Sequence, residues 1–440
     1  MIVNSKSHIR FASRSMKGGN TLSWITLGWI ILLARSITLS AAITPDASKA
    51  TVLDEGMNGY RKTEASGVIL ALQTRLERGE TRLRHETRHG YLLSLLHELN
   101  VPVSSQLLVA SKTSPNKALI SPQNPRALYY NDQASVAYVP SAELIELAAA
   151  DVKLGVVFYT LEQKESAQPR LVRDDRCLEC HASSKTLDVP GLLVRSFLTK
   201  DDGDVDVLSG IVVTHRTPIA ERWGGFYVTG TYGALTHRGN LFGAEAIARH
   251  EKDPACNANI TDLKPFLEVR KYPDGGSDIV SLLVLEHQAH MQTLLTRLAA
   301  ESRNALQTGD SLRPAYPAIE AVLKYMLFTD EAGLGSTVRG TSDFAHWFEQ
   351  QGPKDKQGRS LRQFDLQTRL FKFPFSFMIY SPSFEAVPAP ARKHFYRRLW
   401  DILSGEDPSP DYRKLSEASR KAIREVLIET KNDLPNYWRF

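Results

Sequence analysis

The pentapeptide Cys177-Leu178-Glu179-Cys180-His181 constrains this chain more than any other stretch of its sequence. Two cysteines with two residues between them, followed at once by a histidine, are typical of a c-type haem attachment site. In such a site the two thiols add to the porphyrin vinyl groups, and the histidine supplies an imidazole nitrogen to the iron. The motif therefore predicts one covalent haem c, bound through Cys177 and Cys180, with His181 as the proximal iron ligand.

Two other interpretations of these cysteines have less support. A structural zinc site requires four ligands, usually including a second Cys/His pair, and the only other cysteine is Cys256. A thioredoxin-like dithiol is expected in a βαβ setting, and the sequence around residue 177 lacks that pattern. Because the motif uses the other two cysteines, Cys256 is expected to be an inert single cysteine.

The N-terminus has the three parts of a secretory signal peptide. Basic residues precede an apolar run at 22–34, and the small residues Ser40, Ala41 and Ala42 follow it. We therefore predict export, with cleavage after about Ala42. The alternative is an uncleaved anchor, which Arg35 and the shortness of the run disfavour.

Removal of this segment changes the net charge. The complete chain has a formal charge of +5, and residues 1–42 contain five basic residues and no acidic one, so the mature chain is neutral. Nothing in the composition then indicates nucleic acid or an anionic membrane as a partner. We predict an association with a membrane only through the export signal. Because bacteria attach c-type haem outside the cytoplasmic membrane, export and the haem motif both predict a periplasmic protein.

The hydrophobic pattern predicts an α+β fold rather than a small all-α cytochrome c fold. A mixed α/β part at 43–245 carries the haem motif, and a mostly helical part at 246–440 packs on the haem region. The predicted strands are 106–111, 127–130, 135–139, 156–159, 192–197, 210–214 and 225–228, with a further strand-like aromatic run at 371–380. The predicted helices are 64–82, 91–99, 278–305, 318–328, 344–350, 391–403 and 417–431.

A c-type haem iron has either a sixth ligand or an open position, and this choice separates a carrier from an enzyme. On the predicted helix 278–305, His287 lies at the centre of the apolar face, and Met291 follows one turn later. A buried imidazole without a partner is costly, so His287 is expected to be either an iron ligand or a hydrogen-bonded core histidine. His215, at the end of a predicted strand, is the rival ligand, and His237 is a weaker candidate.

Three arginines near His215 are candidate partners for the haem propionates, because a guanidinium group matches a carboxylate. They are Arg216, Arg222 and Arg238, and the alternative for each is an ordinary surface charge. Trp223 and the two glycines after it could pack against the porphyrin, or they could form a tight turn beside a core tryptophan.

Several strings resemble a broad family of exported bacterial proteins that carry a single c-type haem motif. They are SQLLV at 105–109, PRALYYND at 125–132, the motif itself, HRTP at 215–218, ERWGGFY at 221–227, EHQ at 286–288 and PFSFMIYS at 374–381. The resemblance covers about 85–435, with small departures such as Phe375 and Met378. It implies a periplasmic cytochrome c-like protein that binds haem and transfers electrons, and it indicates no substrate.

The sequence therefore predicts a periplasmic mono-haem c-type cytochrome that passes single electrons to or from a redox partner protein. One alternative is a peroxidase- or oxidase-like haem enzyme with an open distal site. Another is a haem-based redox or gas sensor module. The sequence contains neither a dinucleotide-binding fingerprint nor a second Cys-x-x-Cys-His motif, which favours a carrier over a self-contained enzyme.

Overall fold

The computed structural model describes residues 59–309 and 311–439, and these residues belong to one compact unit. Helices and strands are both present, which confirms the predicted α+β class. The predicted signal peptide at 1–42 lies outside the described residues. In the part of the chain that is described, no helix is both long enough and apolar enough to cross a membrane.

A six-stranded antiparallel sheet forms much of the first part of the chain, and each strand pairs with the next one in sequence. Its strands are β1 (Leu107–Val109), β2 (Arg126–Tyr130), β3 (Ala134–Tyr138), β4 (Leu144–Asp151), β5 (Gly155–Glu162) and β6 (Leu171–Arg173). The predicted turn after β2 is confirmed, because the Asn131 side chain accepts hydrogen bonds from the Gln133 and Ala134 amides. A separate two-stranded sheet, β7 (Val194–Ser196) and β8 (Ile211–Val213), follows the haem motif.

The α-helices surround the sheet and fill most of the second part of the chain. They are α1 (Val68–Glu77), α2 (Leu92–Glu98), α3 (Leu178–His181), α4 (Gly243–Lys252), α5 (Ile279–Gln307), α6 (Tyr316–Met326), α7 (Phe344–Gln350), α8 (Pro382–Glu385), α9 (Ala389–Ser404) and α10 (Glu417–Thr430). The haem motif thus lies between β6 and β7, with its last four residues forming the short helix α3.

The two faces of the six-stranded sheet have different neighbours, because side chains alternate along each strand. On one face, Tyr129, Val136 and Leu147 occupy one row and pack in the hydrophobic cluster that includes residues of α1 and α2. The other face, which we call the inner face, includes Tyr130, whose hydroxyl donates to the Ser281 carbonyl at 2.6 Å. The inner face is therefore the one on which α5 packs.

Helix α5 is the central element of the second part. Its N-cap is Asp278, whose carboxylate accepts from the amides of Val280 and Ser281. The sequence predicts a helix with one apolar face, but the polar residues Glu286 and Gln288 are also buried. The predicted apolar face is buried, and the other sides of the first half of α5 are buried as well.

Two strands are present that the sequence pattern does not predict. Strand β4 includes three consecutive alanines at 148–150, and alanine has a low preference for strands. Its pairing with β3 and β5 on both sides stabilises the extended conformation. Strand β6 is short, and it is defined by its pairing with β5.

The predicted strand 225–228 is wrong, because the backbone turns there. Trp223 and Gly225 have φ values of 69° and 89°, which an extended strand cannot contain. The Gly225 carbonyl accepts from the amides of Ala110 and Ser111. This region is therefore a tight turn next to a buried tryptophan, as the alternative interpretation of Trp223 expected.

The predicted strand at 371–380 is also wrong. Pro374 has no amide hydrogen to donate, and the Ser376 side chain caps a 3-10 helix, Phe377–Tyr380. The phenylalanines of this run, such as Phe371 and Phe375, are buried in the core around α5. The apolar pattern here reports burial of side chains rather than an extended backbone.

Candidate functional site

The haem motif is held on a short helical turn. The Asp174 side chain accepts from the Arg176 amide and so caps the 3-10 turn Asp175–Cys177, from which α3 continues. Leu178 is buried and anchors the turn in the cluster around the sheet. Cys177 is half-buried and Cys180 is exposed, and both are free thiols. The three functional side chains of the motif thus project from one anchored turn.

The imidazole of His181 is oriented by two contacts. Its Nδ1 atom lies 2.9 Å from the Gly191 carbonyl oxygen, and its ring centroid lies 4.8 Å from that of Phe158 on the inner face. A carbonyl oxygen only accepts, so Nδ1 carries the proton and Nε2 keeps its lone pair. Burial lowers the pKa of His181, the Gly191 hydrogen bond opposes this shift, and the charge of Arg126 adds to it. A neutral imidazole with a free Nε2 is the form that binds a metal.

The loop that carries Gly191 is itself positioned by α5. The Thr293 hydroxyl donates to the Leu192 carbonyl at 2.9 Å. A Cβ atom on Gly191 would lie 2.5 Å from the Thr293 hydroxyl oxygen, a distance too short for a side chain there. The absence of a side chain at Gly191 therefore lets its carbonyl reach His181 while the loop packs against α5.

The electrostatics of Cys177 disfavour the dithiol interpretation. Burial raises the pKa of this thiol to about 12, whereas redox dithiols and metal thiolates are typically acidic. Among the residues at 59–309 and 311–439, no group of three or more His, Cys, Asp or Glu side chains could hold a metal ion. A haem site does not need such a group, because the porphyrin supplies four nitrogen ligands. The two free thiols and the Nδ1-protonated His181 are the groups that a haem attached through its thioethers requires.

The two histidines proposed as rival sixth ligands contact each other. The Nδ1 atoms of His215 and His287 lie 3.1 Å apart, and His287 Nε2 lies 2.8 Å from the Ser376 hydroxyl. The His215 ring stacks on Tyr325, with centroids 3.9 Å apart. His215 Nε2 is buried and has no hydrogen-bond partner in the described chain.

Both ring nitrogens of His287 therefore have protein partners. Burial lowers its pKa to about 3, so the ring is neutral at ordinary pH. Its ring neighbours, Tyr325, Phe328 and Phe377, belong to the core around α5, whereas the motif packs with the sheet cluster. These contacts support the core role, and coordination of iron would have to replace one of the two hydrogen bonds. The ligand role of His287 stays a prediction.

The remaining candidate ligands are also buried. Met291 has no exposed surface and packs in the core around α5. His237 Nε2 lies 2.7 Å from the Tyr232 hydroxyl, and its Nδ1 accepts from the Gly239 amide. The local loop thus satisfies both nitrogens of His237.

Arg222 and Trp223 meet on α5. Arg222 forms a buried ion pair with Glu286, and the Trp223 indole N–H donates to the same carboxylate at 3.0 Å. Arg222 also donates to the carbonyls of Thr217 and His215. Burial raises the pKa of Glu286 to about 7, against the opposing effects of Arg222 and Trp223. These contacts attach the loop 215–223 to α5, and sequence reasoning missed Glu286 as their common acceptor.

Arg216 lies at the edge of the same region. Its guanidinium group donates to the Thr329 carbonyl and hydroxyl and lies 5.6 Å from the Tyr325 ring. The propionate-binding role of Arg216 and Arg222 stays a prediction, since their observed partners are protein groups.

Sequence reasoning missed the side chains that surround the motif. Phe158 contacts the His181 ring, and the charge of Arg126 on β2 affects the pKa of His181. Arg195 on β7 is buried enough for its pKa to be lowered, and Cys180 opposes that shift. No spacing pattern in the sequence indicates these residues, because they are distant from the motif in sequence and only the pairing of strands brings them to it.

Comparison of the chain with protein-family models, with curated proteins and with solved structures found no match. The function proposed below is therefore inferred from the residues of this chain.

Proposed function

We propose that this protein is a periplasmic mono-haem c-type cytochrome that passes single electrons to or from a redox partner protein. The observation that carries the proposal is the hydrogen bond between His181 Nδ1 and the Gly191 carbonyl, 2.9 Å long. It leaves the lone pair of Nε2 available for iron, on the same short turn as the two thiols that would attach the porphyrin. The motif alone specifies only the residue types. The hydrogen bond to Gly191 also fixes the tautomer of His181, and this is the tautomer that can bind iron.

Each residue of the motif has a defined role in the proposed site. Cys177 and Cys180 hold the haem through thioether bonds, and His181 is the proximal ligand. The bound haem supplies one-electron chemistry. Phe158 and the Gly191 carbonyl orient the ligand ring, and the surrounding burial sets the dielectric that tunes the reduction potential. The mixed α/β part carries the haem, in a fold unlike a small all-α cytochrome c.

Covalent attachment tests the proposal directly. Wild-type protein co-produced with a c-type maturation system should retain haem through denaturing electrophoresis and give a pyridine haemochrome typical of saturated vinyl groups. Replacement of both motif cysteines, Cys177→Ser with Cys180→Ser, should abolish the haem stain. Cys256→Ser is a matched control, because Cys256 is also an exposed free thiol and lies outside the motif. A colourless wild-type protein would contradict the proposal and support a dithiol.

Export is tested separately. Mass spectrometry of the mature protein should show an N-terminus near Ile43, and cell fractionation should place the protein in the periplasm. An intact N-terminus in the membrane fraction would instead support an anchored cytochrome that faces the same compartment.

A second candidate function is a haem enzyme or sensor with an open sixth position. The observation that favours it is the pairing of His287 with His215 and Ser376, which occupies both ring nitrogens of the predicted sixth ligand. Optical and electron paramagnetic resonance spectra distinguish the electron carrier from the enzyme or sensor. A low-spin ferric spectrum supports the carrier, whereas a high-spin spectrum with peroxide reduction or gas binding supports the enzyme or sensor.

A further inference from the structure

We propose that the haem lies against the inner face of the six-stranded sheet and that Arg126 and Arg195 bind its propionates. This inference rests on the proposed function, because it places the cofactor of that same site.

The middle of the inner face carries small side chains. Ser135 of β3 pairs with Ala148 of β4, and Ala148 pairs with Phe158 of β5, so these three residues form one row. In the adjacent row, Ala137 pairs with Glu146. Ser135 and Glu146 are only partly buried, although they lie on central strands.

The opposite face of the same strands is different. Val136, Leu147 and Tyr159 are large side chains there, and at most 5% of any of them is exposed. A central strand normally has large buried residues on a face that packs against other elements. The inner face has instead a floor of small residues next to large neighbours, and this floor is where we place the flat apolar macrocycle.

The motif lies at this floor. The His181 ring contacts Phe158, which ends the row of small residues. The Glu146 carboxylate is close enough to Cys177 to contribute to the raised pKa of that thiol, after the larger effects of burial and of Asp174. Helix α5 covers the inner face at Tyr130. The floor is thus bounded by the motif on one side and by α5 on the other.

Two arginines flank the motif with buried donors that have no partner. Arg126 Nη1 lies 3.6 Å from the Glu146 carboxylate, and Arg195 Nη2 donates to the Gly210 carbonyl at 3.2 Å. The Nε atoms of both side chains are buried and have no hydrogen-bond partner within the described residues. Buried donors are almost always satisfied in folded proteins, and these two arginines lie beside the motif, so we assign their Nε atoms an acceptor on the haem.

A propionate supplies the acceptor that these donors need. Guanidinium and carboxylate groups form charge-assisted hydrogen bonds, and a haem attached at Cys177 and Cys180 carries two carboxylates. Arg222 differs, because it already donates through Nε, Nη1 and Nη2 to protein oxygens. The geometry therefore favours Arg126 and Arg195 over Arg222.

The test compares the variants Arg126→Gln and Arg195→Gln with the matched control Arg303→Gln. Arg303 also has a buried Nε without a partner in the described chain, but it lies on α5 and donates to the Lys153 carbonyl. We expect each of the first two variants to shift the propionate-bending bands of the resonance Raman spectrum and to lower the reduction potential. Loss of a nearby positive charge favours the ferric state. Arg303→Gln should change neither quantity.

The charge-conserving variants Arg126→Lys and Arg195→Lys separate binding from folding. Their reduction potentials should stay close to the wild-type value, because lysine keeps the positive charge. Their propionate bands should still shift, because lysine lacks the forked geometry of arginine.

The outcomes distinguish the two proposals. Wild-type protein without covalent haem would overturn the proposed function, and this inference with it. Covalent haem whose propionate bands and potential are the same in wild type, Arg126→Gln and Arg195→Gln would overturn this inference alone. Shifts in Arg216→Gln or Arg222→Gln but not in those two variants would place the propionates at the loop 215–223 instead.

Discussion

The Nδ1 atoms of His215 and His287 lie 3.1 Å apart, and both rings are almost completely buried. One of these nitrogens must carry a proton and the other must accept it, because two lone pairs or two protons would repel each other at this distance. The pair thus satisfies one nitrogen of each ring within the protein core. This relationship determines how each residue responds to substitution.

Replacement of His287 by alanine should lower the stability of the protein, and the spin state of the iron in this variant tests whether His287 is also the sixth ligand. The variant removes the bonds to His215 and Ser376 and leaves their buried polar atoms unpaired, at a cost of about 1–3 kcal/mol. Urea denaturation and the ferric optical spectrum measure the two effects. His346→Ala, at an exposed position of α7, is the control. A high-spin spectrum in His287→Ala, with His215→Ala remaining low-spin, would establish His287 as the sixth ligand.

Acidification should destabilise the protein through its buried neutral histidines. Burial lowers the pKa of His237 to about 3, whereas an unfolded histidine titrates near pH 6.5. Between these values the unfolded state binds more protons than the folded state, so stability is lost as the pH falls from about 6.5 towards 3. For one such histidine the loss between pH 7 and pH 5 is about 2 kcal/mol.

The contribution of His237 is measurable by substitution. His237→Gln should reduce the difference between the unfolding free energies at pH 7 and pH 5 by about 2 kcal/mol. His97→Gln, at a side chain that is 85% exposed, should leave that difference as in the wild type. An unchanged pH dependence in His237→Gln would show that this histidine already takes up its proton in the folded state.

Asp278 should be important for the attachment of α5. Its carboxylate accepts from the Val280 and Ser281 amides and from the Ser342 amide and hydroxyl. Asp278→Ala should destabilise the protein by about 1–3 kcal/mol, since it removes a helix cap and leaves buried donors unpaired. The stability of Asp278→Asn should lie between those of the wild type and Asp278→Ala, because one side-chain oxygen remains to cap the helix. Equal stability of all three proteins in urea would contradict this role.

Gly224 should tolerate no side chain. A Cβ atom there would lie 2.2 Å from the backbone carbonyl oxygen of Phe197, so the backbone would have to move. Gly224→Ala should therefore destabilise the protein by roughly 1–3 kcal/mol or more. Gly275→Ala is the matched control, because a Cβ atom at Gly275 has no neighbour within 4 Å. Thermal denaturation compares the two, and equal melting temperatures would refute the prediction.

Local sequence patterns were sufficient for several elements. Short runs of β-branched and aromatic residues predicted β2, β3 and β5, and the helical periodicity predicted α5 and α7, because these segments have strong intrinsic preferences. The same patterns failed for β4 and for 371–380. Pairing with β3 and β5 decided the conformation of β4, whereas Pro374 and the Ser376 cap decided that of 371–380.

The sequence by itself determined the chemistry of the candidate site. The residue types and spacing of Cys177, Cys180 and His181 indicate haem attachment, because that chemistry depends on groups within one short turn. Only the tertiary structure decided the surroundings of that turn. It brought the Gly191 carbonyl to His181, placed Phe158 and Arg126 beside the motif and paired His287 with His215. These contacts depend on sheet register and helix packing between distant segments, which local patterns do not encode.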